Sequence, residues 1–312
     1  MQTKLKLSAT ILLLEDDCEN LKRTIDSIKN EVDNIFVLSN KKIQCNQENF
    51  ELIINKNFNG DFSSYRNSFK NSLPNHLLFH LNCGETLETK DLKDYLEENN
   101  YRVNVTYDQF VLKEIRIANK KDFNFSNKVF EFIDCKNYTD SIIKINASQT
   151  TKINLDPYLK EWLKKEPLNH QVYYYQTLNY LYENDYDSFV TSSEKLIFKN
   201  LLKEENELLL RYYLANVFIF KTKNDQKAIE NILTLIAKRP DMPEFWCIAG
   251  DYWYMKNNFI NSKYFYKYAL IASNHRNFDD DMFVITKKHD EYPKKMIANC
   301  EKILKHQTIF YK

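Results

Sequence analysis

The sequence predicts an α/β domain over residues 1–150, followed by an all-α helical-repeat domain over residues 151–312. Three observations carry this prediction. Apolar runs alternate with helical spacings from Ala9 to Leu81. From about Asp156 the chain reads as continuous amphipathic helix, with aromatic stripes and few turn signals. Within that second half, aromatic and small residues recur at a period of about 34 residues.

Each element of the first half follows from local pattern. Ala9 to Leu14 is a continuous apolar run, read as a buried first strand. Cys18 to Asn30 has helical spacing through Leu21, Ile25 and Ile28. Asn34 to Leu38, Glu51 to Ile54 and Asn75 to Leu81 read as further strands. A helix from Phe62 to Asn71 lies between the last two, and Asp61 is placed to cap it. Strand–helix–strand order implies parallel strands with right-handed crossovers. Ligands of such sheets bind beyond the carboxyl ends of the strands. Those ends carry Glu15-Asp16-Asp17, Ser39-Asn40 and Asn82 to Glu85, three polar clusters converging on one edge.

In the second half, Trp246, Gly250, Trp253, Phe259, Ser262, Tyr266 and Ala269 fall at the spacing of the tetratricopeptide repeat. One period earlier, Tyr212, Asn216, Ile219, Ala228, Ile232, Leu235 and Pro240 match again. A third copy near His170 to Lys203 stays in phase only with a short insertion around Glu204 to Glu207. Small residues at Ala228 and Ser262 let the two helices of each hairpin approach closely. The Tyr and Trp stripes are core at this spacing, and aromatics left over on the repeat surface are suited to gripping a peptide.

Composition excludes several classes. The 312 residues carry a net charge of +1, which argues against nucleic acid or an anionic membrane as partner. Only three glycines occur, Gly60, Gly84 and Gly250, so no glycine-rich phosphate loop is present. The six cysteines, Cys18, Cys45, Cys83, Cys135, Cys247 and Cys300, form no CxxC pair and read as reduced thiols of a cytoplasmic protein. No run approaches the roughly 18 apolar residues of a membrane span. His76 and His80 would stand about 13 Å apart on a strand, too far to share an ion. Asp279-Asp280-Asp281 reads as a solvated loop.

The segment Asp61-Phe62-Ser63-Ser64-Tyr65-Arg66-Asn67, then the strand Leu77 to Leu81 and the turn Asn82-Cys83-Gly84-Glu85, resembles the heart of a family 2 glycosyltransferase. The stretches LSATILLLEDDCENLKRTIDSIKNEVDNIFVLSN and LKEIRIANKKDFNFSNKVFE extend the likeness over Leu5 to Phe132. It is closest to members that carry helical repeats after the catalytic domain. The resemblance implies a GT-A, Rossmann-like nucleotide-sugar domain followed by a tetratricopeptide-like domain.

The residue roles come with that resemblance. Asp16 and Asp17 stand where the family has Asn-Glu, and Ser39 where it has an Asp that helps hold the nucleoside. Arg66 and Asn67 match the family directly, and Arg116 is kept. Asn82-Cys83-Gly84 replace the family's Asp-Ala-Asp metal pair, Glu85 retains the following acid, and Phe130 replaces a His ahead of Glu131. The family moves a sugar from a nucleotide sugar and neutralises the leaving diphosphate with Mg²⁺ or Mn²⁺ held by carboxylates. Here that leaves Glu85 as lone metal ligand or catalytic base, with Arg66 and Arg116 able to meet diphosphate through planar forks. Asp16, Asp17, Ser39, Asn67 and Asn82 complete the implied nucleotide-sugar site. Two functions follow. One is transfer of a sugar to a protein, peptide or glycan acceptor held partly by the repeats. The other is a pseudo-glycosyltransferase that scaffolds a partner through them.

Overall fold

The computed structural model describes residues 5–15, 17–45, 50–108, 110–128, 132–135, 137–148, 155–278, 280 and 282–310. The chain divides into two compact units, Met1–Lys165 and Glu166–Lys312.

The first unit opens with β1 (Leu7–Leu13), α1 (Cys18–Ile28), β2 (Asn34–Ser39) and β3 (Glu51–Ile54). Next come α2 (Phe62–Phe69) and β4 (Leu77–Asn82). β1, β2, β3 and β4 pair in parallel, as their order implies. β1 is buried along its whole length, which fits its mostly apolar sequence, and its polar Ser8 and Thr10 bond to His76 and His80. Asp61 caps α2 by accepting the Ser64 N–H at 2.9 Å. The glycines at the two sharp turns, Gly60 and Gly84, have φ of 86° and 94°, the left-handed region that a side chain resists.

The sheet then continues through strands absent from the sequence reading. β5 (Thr86–Leu87), β6 (Tyr101–Tyr107), β7 (Phe110–Asn119) and β10 (Thr139–Asn146) complete an eight-stranded sheet in the order β3-β2-β1-β4-β7-β6-β10-β5. β7 runs antiparallel to both β4 and β6. β8 (Asn124–Ser126) and β9 (Phe132–Asp134) form a small antiparallel pair. α3 (Asp156–Lys165) groups with this unit. Its Tyr158 ring lies against Phe58 and Phe62, at centroid distances of 5.8 and 5.6 Å.

The second unit is built from helices: α4 (His170–Tyr182), α5 (Tyr186–Phe198), α6 (Glu204–Phe220), α7 (Asp225–Lys238), α8 (Pro243–Met255), α9 (Phe259–His275), the short α10 (Thr286–His289) and α11 (Glu291–Phe310). The pairs α4/α5, α6/α7 and α8/α9 are hairpins. Their turns share one chemistry. Asn184, Lys223 and Asn257 take positive φ, and the next residues, Asp185, Asn224 and Asn258, cap the second helix through their side chains. α6 has 17 residues against 13 in α4 and α8, so the insertion at Glu204 to Glu207 is an added helical turn. In the last hairpin, Ser262 donates to the Gly250 carbonyl at 2.9 Å, and the buried Tyr266 ring fills the space a Gly250 side chain would need. α11 packs on this hairpin through Tyr292, Met296, Ile297 and Cys300.

Candidate functional site

Register places the predicted residues at one edge of the sheet. Leu13 pairs with Ser39, and Leu12 pairs with Asn82, so β1, β2 and β4 end level with one another. Asp17 follows β1 and caps α1: its carboxylate accepts from Asn20 N at 3.0 Å and Asn20 Nδ2 at 2.6 Å. The Cys83 thiol donates to the Asp17 carbonyl at 3.7 Å, which ties the two strand-end turns together. The Ser39 hydroxyl is buried and accepts from Lys41 N at 3.3 Å. Asp16, Phe130 and Glu131 lie outside the described residues.

Arg66 and Asn82 come together across α2 and β4. Arg66 Nη2 donates to Asn82 Oδ1, and its guanidinium lies 5.1 Å from the Phe125 ring centroid. Only 3% of Arg66 is exposed. Asn82 passes the contact on, donating from Nδ2 to Glu85 Oε1 at 3.0 Å and from its backbone N–H to Glu85 Oε2 at 2.8 Å. Arg116 on β7 reaches the same carboxylate with Nη1 at 3.1 Å and Nη2 at 2.9 Å. Arg116 also donates from Nε to Glu114 at 2.9 Å and from Nη2 to the Tyr107 hydroxyl at 3.2 Å. Asn67 points elsewhere. Its amide brackets Phe125, donating to the carbonyl at 2.8 Å and accepting the N–H at 3.0 Å. That bracket fixes β8 beneath Arg66.

The electrostatics are those of an enclosed network. Burial opposes the charge on Arg116, yet Glu85 and Glu114 hold its pKa well above the ordinary value. Burial and the neighbouring Glu114 raise the Tyr107 phenol well above 10.0. His80 sits beneath, bonded through Nδ1 to Thr10 Oγ1 at 2.7 Å and flanked by Phe123 and Phe125. Burial, then the Arg66 and Arg116 charges, hold its imidazole well below 6.5.

This arrangement does not fit the divalent ion that the resemblance implies. A hard cation requires anionic oxygens with free lone pairs. Glu85 is the only acid of the turn, and it is fully buried with both oxygens accepting from Asn82 and Arg116. Asn82 offers a carbonyl already bonded to Arg66, and Gly84 has no side chain. Among the described residues, no three His, Cys, Asp or Glu side chains are grouped to hold a metal.

One cysteine expectation is corrected. Cys18 and Cys45 form a disulfide, with Cα atoms 5.6 Å apart and a sequence separation of 27. The parallel β1 and β2 bring their following loops side by side, which no local spacing rule reveals. Cys83, Cys135, Cys247 and Cys300 are not disulfide-bonded. The disulfide removes the cysteine argument for a cytoplasmic protein. Among the described residues, no helix is long and apolar enough to cross a membrane.

Sequence reasoning missed Tyr107, Glu114, His80 and Phe125 as members of this network. A signal for the strand that carries Tyr107 was present: Tyr101-Arg102-Val103-Asn104-Val105 alternates with period two, and its odd positions are buried.

No protein-family model and no curated protein sequence matches the chain. Several solved structures are similar to it at low identity. Residues 1–349 of S. aureus TarS in complex with UDP-GlcNAc are 10% identical over 95% of this chain and 89% of that chain, with a TM-score of 0.38. Yeast Tom70 is 19% identical over 42% of this chain, at a TM-score of 0.33, and the match spans 26% of Tom70. MamA from Desulfovibrio magneticus RS-1 is 16% identical over 49% of this chain and 85% of that chain, with a TM-score of 0.33. These scores define neither a family nor a ligand for this chain.

Proposed function

We propose that this protein is a glycosyltransferase-like binding protein without metal-dependent sugar transfer, whose helical repeats serve as its partner-binding part. One observation carries the proposal. The position where the resemblance calls for a metal-binding acid pair is filled by an internal chain of contacts, Arg66–Asn82–Glu85–Arg116. Arg116 neutralises the protein's own Glu85 and pairs with Glu114, while Arg66 is bonded to the neutral Asn82 carbonyl. With both Glu85 oxygens engaged, the turn offers no carboxylate to hold a metal that would take up charge developing on a leaving diphosphate. Asp17 and Ser39 stay in the proposal as edge residues toward a nucleoside, with Asp16 beside them in sequence.

Calorimetric titration with a panel of UDP- and GDP-sugars, with and without Mn²⁺, tests the proposal when paired with an assay for released nucleoside diphosphate. It expects no Mn²⁺-dependent binding and no release. Tight binding that requires Mn²⁺, with release of nucleoside diphosphate, would instead make the chain an active transferase.

A further inference from the structure

Residues Met282–His289 lie against the helical repeats in the manner of a bound peptide. None of the described residues from Arg276 to Ile285 is helical, and Met282, Phe283 and Ile285 are nevertheless buried. Phe283 spans two successive hairpins, with its ring centroid 5.3 Å from Tyr212 on α6 and 6.2 Å from Phe245 on α8. Glu244 Oε1 on α8 accepts the Ile285 backbone N–H at 2.8 Å and His289 Nε2 at 3.0 Å. Two turns along α8, Asp251 accepts Lys288 Nζ at 3.4 Å, along with the Tyr266 and Tyr292 hydroxyls. The Lys288 ammonium also stands 5.5 Å from the Tyr212 ring and 5.3 Å from the Tyr292 ring. Upstream, Asp280 is held by both Arg239 and Arg276.

The chemistry of α8 is unusual for a helix that only packs a hairpin. Glu244 is fully buried and Asp251 nearly so, and both project from the same side of the helix seven residues apart. Buried carboxylates are costly unless donors or cations meet them. The donors from Met282–His289 are a main-chain N–H at Ile285, just before α10, and an ammonium and an imidazole from the helical turn α10. Glu244 Oε2 is buried with no hydrogen-bond partner among the described residues, so the acid retains capacity to accept. Tyr212, Phe245 and Tyr292 supply the aromatic walls.

We propose that Met282–His289 is an intramolecular ligand closing a peptide-binding groove between α6 and α8. The partner that replaces it is a peptide with an aromatic residue followed five positions later by lysine, as in Phe283 and Lys288. This inference rests on the reading that the repeats bind a partner, and it is independent of the nucleotide argument.

The test uses the full chain with residues 282–289 replaced by a Gly/Ser linker of equal length, and a synthetic peptide of residues 280–290 as probe. The replaced chain is expected to keep its helical circular dichroism and to bind the peptide about tenfold or more tighter than the natural chain, whose groove is filled. The Lys288→Ala change in the peptide, or Glu244→Gln with Asp251→Asn in the chain, is expected to weaken that binding by about tenfold or more. In the natural chain, hydrogen exchange is expected to be faster at Ile285 and Lys288 than in the middle of α8. A replaced chain that unfolds, a folded one that does not bind the peptide, or exchange as slow as in α8 would each show the segment to be core and overturn the inference. Nucleotide titration of the same variant separates the two proposals, because a failed peptide test leaves its outcome unchanged.

Discussion

Arg116 grips Glu85 with both terminal nitrogens, at 3.1 and 2.9 Å, where neither side chain is more than 9% exposed. This pair closes the site from the β7 side, as Arg66 closes it from α2. Breaking such a pair by removing one partner leaves a buried charge uncompensated. Arg116→Met and Glu85→Gln are each expected to lower unfolding free energy by about 3–5 kcal/mol. The double variant is expected to recover much of that loss. Urea unfolding reads all three. A Glu85→Gln variant as stable as the natural chain would mean that the carboxylate is not a buried counter-ion.

His80 gives the fold an acid sensitivity of known sign. Burial, then Arg66 and Arg116, depress its folded pKa below 6.5. The unfolded chain therefore takes up a proton that the folded chain refuses. The stability this group contributes is full above its unfolded pKa and falls as pH drops through that value. His76 is depressed for the same first reason, burial, and adds with the same sign. Between about pH 7 and pH 5, His80→Gln is expected to reduce the slope of unfolding free energy against pH by up to about 1.4 kcal/mol per pH unit. An unchanged slope would contradict the buried neutral imidazole.

Gly250 is predicted to resist even alanine. An added Cβ would stand 2.6 Å from the Tyr266 ring, which is fully buried and bonded to Asp251 at 2.6 Å. Overpacking of this kind costs about 1–3 kcal/mol. Better helix propensity offsets up to about 1 kcal/mol. The pinned ring puts Gly250→Ala at the upper end of the overpacking range, so a lower thermal midpoint is expected. A higher midpoint would show that Tyr266 moves freely.

The Cys18–Cys45 disulfide closes a loop of 27 residues. Cys18→Ser with Cys45→Ser is expected to cost about 3 kcal/mol of stability. Adding dithiothreitol to the natural chain should match that loss, and mass spectrometry after alkylation should show two fewer free thiols before reduction than after. Equal thiol counts would mean that the bond does not form.

Much of the fold was legible because its signals are local. The mostly apolar run of β1 and the Asp61 cap declare themselves in a few residues, and the 34-residue period needs only counting. β6 and β7 were harder, because half of their side chains face outward and no apolar run marks them. The three strand ends could be placed on one edge, since parallel order alone dictates it. Their partners could not. Arg66 and Asn82 are 16 residues apart, and Glu85 and Arg116 are 31 apart. Only the sheet's register, with antiparallel β7 beside β4, makes those side chains meet. In the structure Arg66, Asn82, Glu85 and Arg116 are bonded to one another.

Calorimetry of the natural chain with UDP- and GDP-sugars in the presence and absence of Mn²⁺ asks whether the Arg66–Asn82–Glu85–Arg116 chain has replaced a metal. The predicted result is that Mn²⁺ alone gives no binding heat and does not alter nucleotide affinity, because every Glu85 oxygen is already engaged. Nucleotide binding that appears only with Mn²⁺, and vanishes in Glu85→Gln, would contradict it.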